Sequence, residues 1–351
     1  MNPLKIINNI PFYLRRRFNK RYIVIESDDW GLSGANSKEG INYLCSQYGK
    51  DSLTRWTTDS FETSKDIELL FELLMKYKAS FDTAPIITAN YLTHNIDYSK
   101  KDHLSFVPLG QTLNDNKDIK MLCFEGIDNK IFCPQLHGYC HYDVIKLNNY
   151  FHTSDGKELF KRRFLTGMST VEGHLHMFHS EFSNYNSIIK NNFELSIQEF
   201  QSIFQYKPIS FIPPHFQLNN KMIKYLVKKG IISIQASNRL INSYNTKYNR
   251  LYFRKSQNIF WMPRNARLDP HPDYNYYSNY CIESIRNAFA AKVPAIIDFH
   301  RVNISGKFNS EYRDRSLQEL EKVLKAVKRH WPDTLFISTP QLIKLCQITI
   351  K

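Results

Sequence analysis

Acidic side chains are scarce in this sequence: 33 Asp and Glu stand against 47 Lys and Arg, giving a formal net charge of +14. Long apolar runs are missing too. Mean hydropathy is −0.45, and no stretch of about eighteen apolar residues occurs, so no transmembrane helix is expected. None of the six cysteines (Cys45, Cys123, Cys133, Cys140, Cys281, Cys346) forms a CxxC pair. That leaves no zinc knuckle or disulfide framework and suits a reducing compartment. No GxGxxG follows a strand, so a dinucleotide site has no support. Zinc-finger spacing, an RNA-recognition aromatic signature and a helix-turn-helix are also lacking, so nucleic acid is not the expected partner of the positive charge. An anionic substrate or a membrane surface remains. No internal repeat and no Gly/Ser-rich or Pro-rich linker divides the chain, so residues 1–351 are read as one domain.

The N-terminal "MNPLKIINNIPFYLRRRFNKRY" has Lys5 and Asn8-Asn9 interrupting its apolar part. A secretory signal needs an unbroken apolar segment, so a cytoplasmic protein is expected. Residues 1–20 form a basic segment suited to peripheral contact with an anionic membrane at its inner face.

Hydrophobic residues make up 42% of the chain, enough for a sizeable core. Apolar strand-like runs at 21–27, 84–89, 131–136, 208–213, 231–236, 258–263, 294–299 and 334–338 alternate with amphipathic stretches. Helices are expected at 36–48, 63–77, 157–167, 193–205, 219–229, 280–291, 313–330 and 340–348, with Ser316 and Glu319 as a capping pair for the seventh. The alternation predicts an α/β fold of parallel strands, a distorted (β/α) barrel of about seven or eight units. Insertions are placed at 91–125 and 237–257.

Chemistry-bearing residues gather where the strands should end. "ESDDWG" puts Asp28 and Asp29 side by side after the first strand. "QLHGYCHYD" sets His137 four residues before His141, a spacing that converges on a helix face or a tight turn. "SFIPPHF" presents His215, and "AIIDFHR" ends a strand on His300 with Asp298 two residues earlier. In a parallel barrel the strand C-termini share one face, where active sites are built. Two His and one Asp make a three-ligand set with positions left open, and a divalent cation relieves the repulsion between adjacent carboxylates. Zinc is the default for these donors, although they also accept cobalt, nickel, manganese or iron.

This order of motifs resembles the polysaccharide deacetylase family, the NodB-type carbohydrate esterases, over residues 21–301. The resemblance implies Asp28 as general base, Asp29, His137 and His141 as metal ligands, and His300 as general acid. It implies hydrolysis of an N-acetyl group on an amino sugar, with the oxyanion held partly by a backbone N–H near Tyr139. Asp298 would orient the imidazole of His300. Two departures stand out. Trp30 follows the acids where the family has Gly, and is read either as a sugar-stacking wall or as a core indole. Ile212 occupies the position of the family's Arg, and Arg264 is preferred over Arg267 as its replacement. The expected substrate is an acetylated amino-sugar precursor for a surface polysaccharide, nucleotide- or lipid-linked.

His174, His176 and His179 in "EGHLHMFHS" are read as a segment beside the cleft rather than a second metal site, and Cys140 as packing. Two competing readings are an inactive sugar-binding or assembly protein and a non-haem iron oxygenase using His141, Asp143 and His300.

Overall fold

Strand β1 (Tyr22–Trp30) opens on Tyr-Ile-Val-Ile, and Ile23, Val24 and Ile25 are all fully buried. Burial on both faces is what a central parallel strand demands of its residues. The computed structural model describes residues 16–164, 186–236, 239–241, 247–249, 253–272 and 274–348. Nine further strands complete the sheet. The two-residue strand Lys255–Ser256 pairs antiparallel with Ile259–Pro263 at one edge. The other eight are β2 (Ile87–Leu92), β3 (Phe132–Gly138), β4 (Ser210–Phe211), β5 (Ser233–Ala236), β6 (Ile259–Pro263), β7 (Ala266–Arg267), β8 (Ala295–Asp298) and β9 (Leu335–Phe336). Their order is β6-β5-β4-β3-β2-β1-β8-β7, with β9 beside the start of β1, and all these pairings are parallel.

The two ends of the parallel strand order meet on one stretch of chain. Residues 260–263 pair with β5, whereas Ala266 and Arg267 pair with β8. Between them the Arg264 N–H donates to Ala236 O (2.7 Å) and the Asn265 N–H to Ile296 O (3.2 Å). The result is a distorted (β/α) barrel of parallel strands with helices outside it. The strand C-termini fall on one face, so Asp28, His137 and Asp298 arrive there from three different strands and Arg264 from the residue just after a fourth.

Helix Ser64–Lys76 shows how a sequence pattern places an outer element. Thr63 Oγ1 accepts from the Asp66 N–H, and Asp66 accepts in return from the Thr63 N–H, a reciprocal cap. Ile67, Leu70, Phe71 and Leu74 then recur at helical spacing and are buried. Truncating Leu70 to Ala would cost about 2–5 kcal/mol.

Several expectations need correction. Ser316 and Glu319 do not cap a helix. The helix runs Ser310–His330 and is capped by Asn309, while Ser316 Oγ donates to Tyr312 O and Glu319 accepts from the Ser278 N–H. The 91–125 region is structured: His94–Ile96 pairs antiparallel with Phe106–Pro108, and helices Leu109–Asp115 and Lys117–Asp128 follow. Of 237–257, Arg239–Ile241 pairs antiparallel with Lys247–Asn249. Helix Val144–Phe151 was unforeseen. Asp143 caps it by accepting from the N–H groups of Ile145 and Lys146, both at 3.1 Å, so Asp143 serves as a helix cap and is no part of an iron triad. His174, His176, His179 and residues 1–15 lie outside the described residues. No described helix is long and apolar enough to cross a membrane.

Candidate active site

β1 does not run straight to its end. Its pairing with β2 slips between Ser27 and Trp30, and Asp29 has φ 68°. In a regular strand two adjacent side chains point to opposite faces. The bulge removes that constraint, and both acids deliver carboxylates to the same end of the barrel. A left-handed non-glycine residue costs about 1–2 kcal/mol, so something must hold it. Arg301, fully buried, does so: its Nε donates to Asp29 O (2.7 Å) and its Nη2 to Leu32 O (3.2 Å). That guanidinium is in turn paired with Asp59 (3.0 Å) and Glu62 (3.6 Å). Gly31 completes the turn at φ 78°, where a Cβ would lie 2.7 Å from Leu92 O.

Trp30 is not a wall of the cleft. It is fully buried, packs on Phe132 and Tyr91 with ring centroids at 4.9 and 6.0 Å, and donates from Nε1 to Ser27 Oγ. The slip of the strand turns the indole into the core, and the core-indole reading holds.

Asp29, His137 and His141 form one group, their ligand atoms all within 4.8 Å of one another. His137 comes from the end of β3. His141 comes from the turn beyond it, where Gly138 at φ 123° redirects the chain. His137 Nδ1 faces Ile212 O at 2.8 Å. That carbonyl can only accept, so a proton belongs on Nδ1, which is the tautomer that in a neutral ring leaves Nε2 free to ligate. Burial and the neighbouring His215 hold the His141 imidazole well below its usual range, so it is neutral at pH 7. Both Nε2 atoms face Asp29 Oδ1, at 3.3 and 3.5 Å.

Two imidazole Nε2 atoms thus converge on a carboxylate that is 1% exposed and has no hydrogen-bond donor on either oxygen among the described residues. Such a group is costly without a cation between its members. The donor set and the orphaned carboxylate therefore fit a divalent metal, and zinc suits two imidazoles and a carboxylate. His215 lies against this group, its ring 4.6 Å from that of His141 and its φ at 53°.

The second group is Asp28, Asp298 and His300. Here the carboxylates are heavily bonded. Arg264, 6% exposed, reaches Asp28 through Nη1 (2.7 Å) and Nη2 (2.6 Å), Glu26 through Nε (2.8 Å), and Asp298 through Nη1 (2.5 Å). Asn90 Nδ2 adds a donor to Asp28 Oδ1 (2.8 Å). Burial pushes the Asp28 carboxyl up, but Arg264 outweighs it and holds it below the usual range. Glu26, one layer deeper, is pushed up to about 7 by burial despite Arg264 and the Thr339 hydroxyl.

His300 Nδ1 lies 3.5 Å from Asp269 Oδ2 and 3.6 Å from Asp298 Oδ1. Burial pushes its imidazole down, but Asp298, Asp269 and Asp28 outweigh it and hold it up at about 9. Trp56 packs edge-on against this ring at 5.4 Å.

Arg264 thus meets Asp28 where Ile212 cannot, and Arg267 goes elsewhere, to Asp269 (2.6 Å). Sequence reasoning missed Glu26, Asn90, Asp269 and Arg301. Two carried a readable sign. Glu26 shares a strand face with Asp28, and Asp269 follows Arg267 within "RNARLDPH". Asn90 and Arg301 had none, because their roles depend on partners more than sixty residues away.

The glycosyl hydrolase family 57 model matches residues 169–327, a stretch holding Arg264, Asp298 and His300 but not Asp28, Asp29, His137 or His141. No curated protein matches the chain. Among solved structures it is similar to a 4-alpha-glucanotransferase from Thermococcus litoralis, at 9% identity and TM-score 0.48, over 94% of this chain; it spans only 40% of that enzyme's length. It is also similar to a putative polysaccharide deacetylase from Mycobacterium smegmatis (9%, TM-score 0.43, covering 94% of this chain and 91% of that one). A peptidoglycan deacetylase from Bacillus subtilis aligns likewise (9%, TM-score 0.41, 94% and 93%). The names divide between deacetylase and glycosyl hydrolase.

Proposed function

We propose that this chain is a metal-dependent hydrolase that removes an N-acetyl group from an amino sugar. The observation that carries the reading is the pairing of an orphaned Asp29–His137–His141 group with a separately tuned acid and base beside it. Asp29, His137 and His141 would hold the ion. When bound, it supplies Lewis-acid polarisation of the acetamide carbonyl and a more acidic water.

Asp28, kept ionised by Arg264 and Asn90, takes the proton from the attacking water as the new C–O bond forms. His300, kept protonated by Asp269 and Asp298, donates to the nitrogen as the C–N bond breaks. Acetate and a free amine leave. Asp269 and Asp298 orient the ring and do not touch the substrate. The positive charge of the chain suits a phosphate-bearing substrate, so a nucleotide- or lipid-linked precursor of a surface polysaccharide is the preferred class. A cytoplasmic site, peripheral at an anionic membrane, agrees with that substrate.

The test is elemental analysis of the purified protein beside His141→Ala, followed by acetate-release assays. Near one equivalent of divalent metal, lost in the variant, together with acetate release that chelation abolishes, is the expected result. No bound metal after zinc or cobalt is added back would overturn the mechanism.

The match over 169–327 favours one second reading, cleavage of a glycosidic bond. Reducing-sugar release from an unacetylated oligosaccharide, undiminished in Asp29→Asn, would favour it over deacetylation, because that chemistry leaves the Asp29 group without a task.

A further inference from the structure

Beside His300 the barrel carries a stack that catalysis does not use. The Arg55 guanidinium carbon lies 4.5 Å from the Trp56 ring centroid and 4.5 Å from that of Tyr274. The Arg267 guanidinium carbon follows, 5.2 Å from Tyr274 and 4.6 Å from Tyr276. Aromatic and cationic side chains thus alternate from Trp56, which touches His300, out to Tyr274, which is 36% exposed.

Stacking fixes the plane of a guanidinium and leaves its N–H edge free to meet an anion. Both arginines are tied to the acid through Asp269, and Arg267 Nε also lies 3.8 Å from Asp298 Oδ2. Arg55 Nη1 is 2.8 Å from Asp269 Oδ1. Arg267 Nε and His300 Nδ1 share Asp269 Oδ2. Arg55 Nε and Nη2 are buried without an acceptor among the described residues. Arg267, with a side chain 30% exposed, engages described carboxylates through Nε alone, which leaves its two Nη groups to outward partners. Arg264 contrasts with them, since its fork is spent on Glu26, Asp28 and Asp298. Buried charged donors without acceptors ask for a partner.

We infer that Arg267, backed by Arg55 and held between Tyr274 and Tyr276, is a recognition site for an oxyanion on the substrate, a phosphate or a carboxylate, on the leaving-amine side of the cleft. The inference rests on the deacetylase reading for the identity of the sugar but not for the anion preference. It makes Arg267 a specificity residue: a guanidinium presenting both terminal nitrogens matches two oxygens of a phosphate or carboxylate.

Calorimetric titration of the metal-loaded protein with four probes tests it: N-acetylglucosamine, N-acetylglucosamine 1-phosphate, UDP-N-acetylglucosamine and N-acetylmuramic acid. At least one anionic probe should bind about tenfold or more tighter than the neutral sugar, the charge-assisted advantage of one such contact. Which one does so separates phosphate from carboxylate. Arg267→Gln should bring anionic and neutral probes to within about twofold, and Arg267→Lys should restore part of the gap. Tyr276→Leu, which removes one face of the stack but no charge, should narrow it, and this variant serves if Arg267→Gln does not fold. Equal binding of neutral and anionic probes, or a preference that survives Arg267→Gln, would overturn the inference. Anion preference with no acetate release sinks the deacetylase reading and keeps this one. Acetate release without anion preference does the reverse.

Discussion

The two halves of the site are built on opposite principles. Around Asp28 every carboxylate is met by arginine: one guanidinium serves Glu26, Asp28 and Asp298, and a second and third converge on Asp269. Around Asp29 no described residue donates, and two imidazole Nε2 atoms and a carboxylate face one another. In the first half the chain itself supplies the counter-charge of each carboxylate, so it can fix protonation states. In the second, no described residue donates to the carboxylate. A buried polar cluster satisfied by protein is a setting for chemistry, whereas one left unsatisfied is a receptor for a cation.

Breaking each half should therefore have opposite consequences. Arg264→Gln removes the counter-charge of three buried carboxylates, and a loss of about 3–5 kcal/mol is expected from urea unfolding. Asp29→Asn removes a carboxylate that has no donor among the described residues. Metal affinity should fall at least about 100-fold in a competition titration, while the metal-free protein unfolds at the same urea concentration as the parent or a higher one. Equal destabilisation by the two substitutions would erase the distinction.

Arg301→Lys probes the link between the halves. A lysine cannot reach Asp29 O, Leu32 O and Asp59 together, so about 1–3 kcal/mol should be lost. Metal affinity should fall with it, since the left-handed Asp29 is no longer clamped. Circular dichroism melts beside metal titrations would separate the two effects.

The smallest effect is the alkaline limb. His300 is faced by Asp28, Asp269 and Asp298, with Arg264, Arg267 and Arg55 behind those carboxylates, and its pKa is raised from 6.5 to about 9. A raised histidine contributes stability that is fully present below about pH 6.5 and is lost as pH rises through about 9. Turnover that needs the imidazolium should fall over the same upper range. A rate that keeps rising beyond pH 9 would remove His300 as the acid.

Much of the architecture was legible because strands buried on both faces announce themselves as apolar runs, and all eight expected runs fall on observed strands. The outer helices declared themselves through caps and periodicity, with the start of Ser310–His330 misjudged because Ser316 mimics a cap. The helices Leu109–Asp115 and Lys117–Asp128 start without a side-chain cap, so no start signal marked them. Asp28-Asp29, the two histidines and "AIIDFHR" stood out because acids and imidazoles are rare at the ends of such runs. Trp30 did not declare its side, since strand alternation fails at a bulge and only the local slip decides where the next side chain points.

The sequence by itself determined which residue types reach one face of a parallel barrel, because periodicity and strand ends are local properties. Only the tertiary structure decided how they divide into a group paired with arginines and a group of two imidazoles and a carboxylate that no described residue donates to. That division rests on which guanidinium is within hydrogen-bonding reach of which carboxylate, and Arg264 and Asp28 are brought together from 236 residues apart. Coulomb and hydrogen-bond energies depend on distances of a few ångströms in a buried site, and such distances exist only once the barrel has closed.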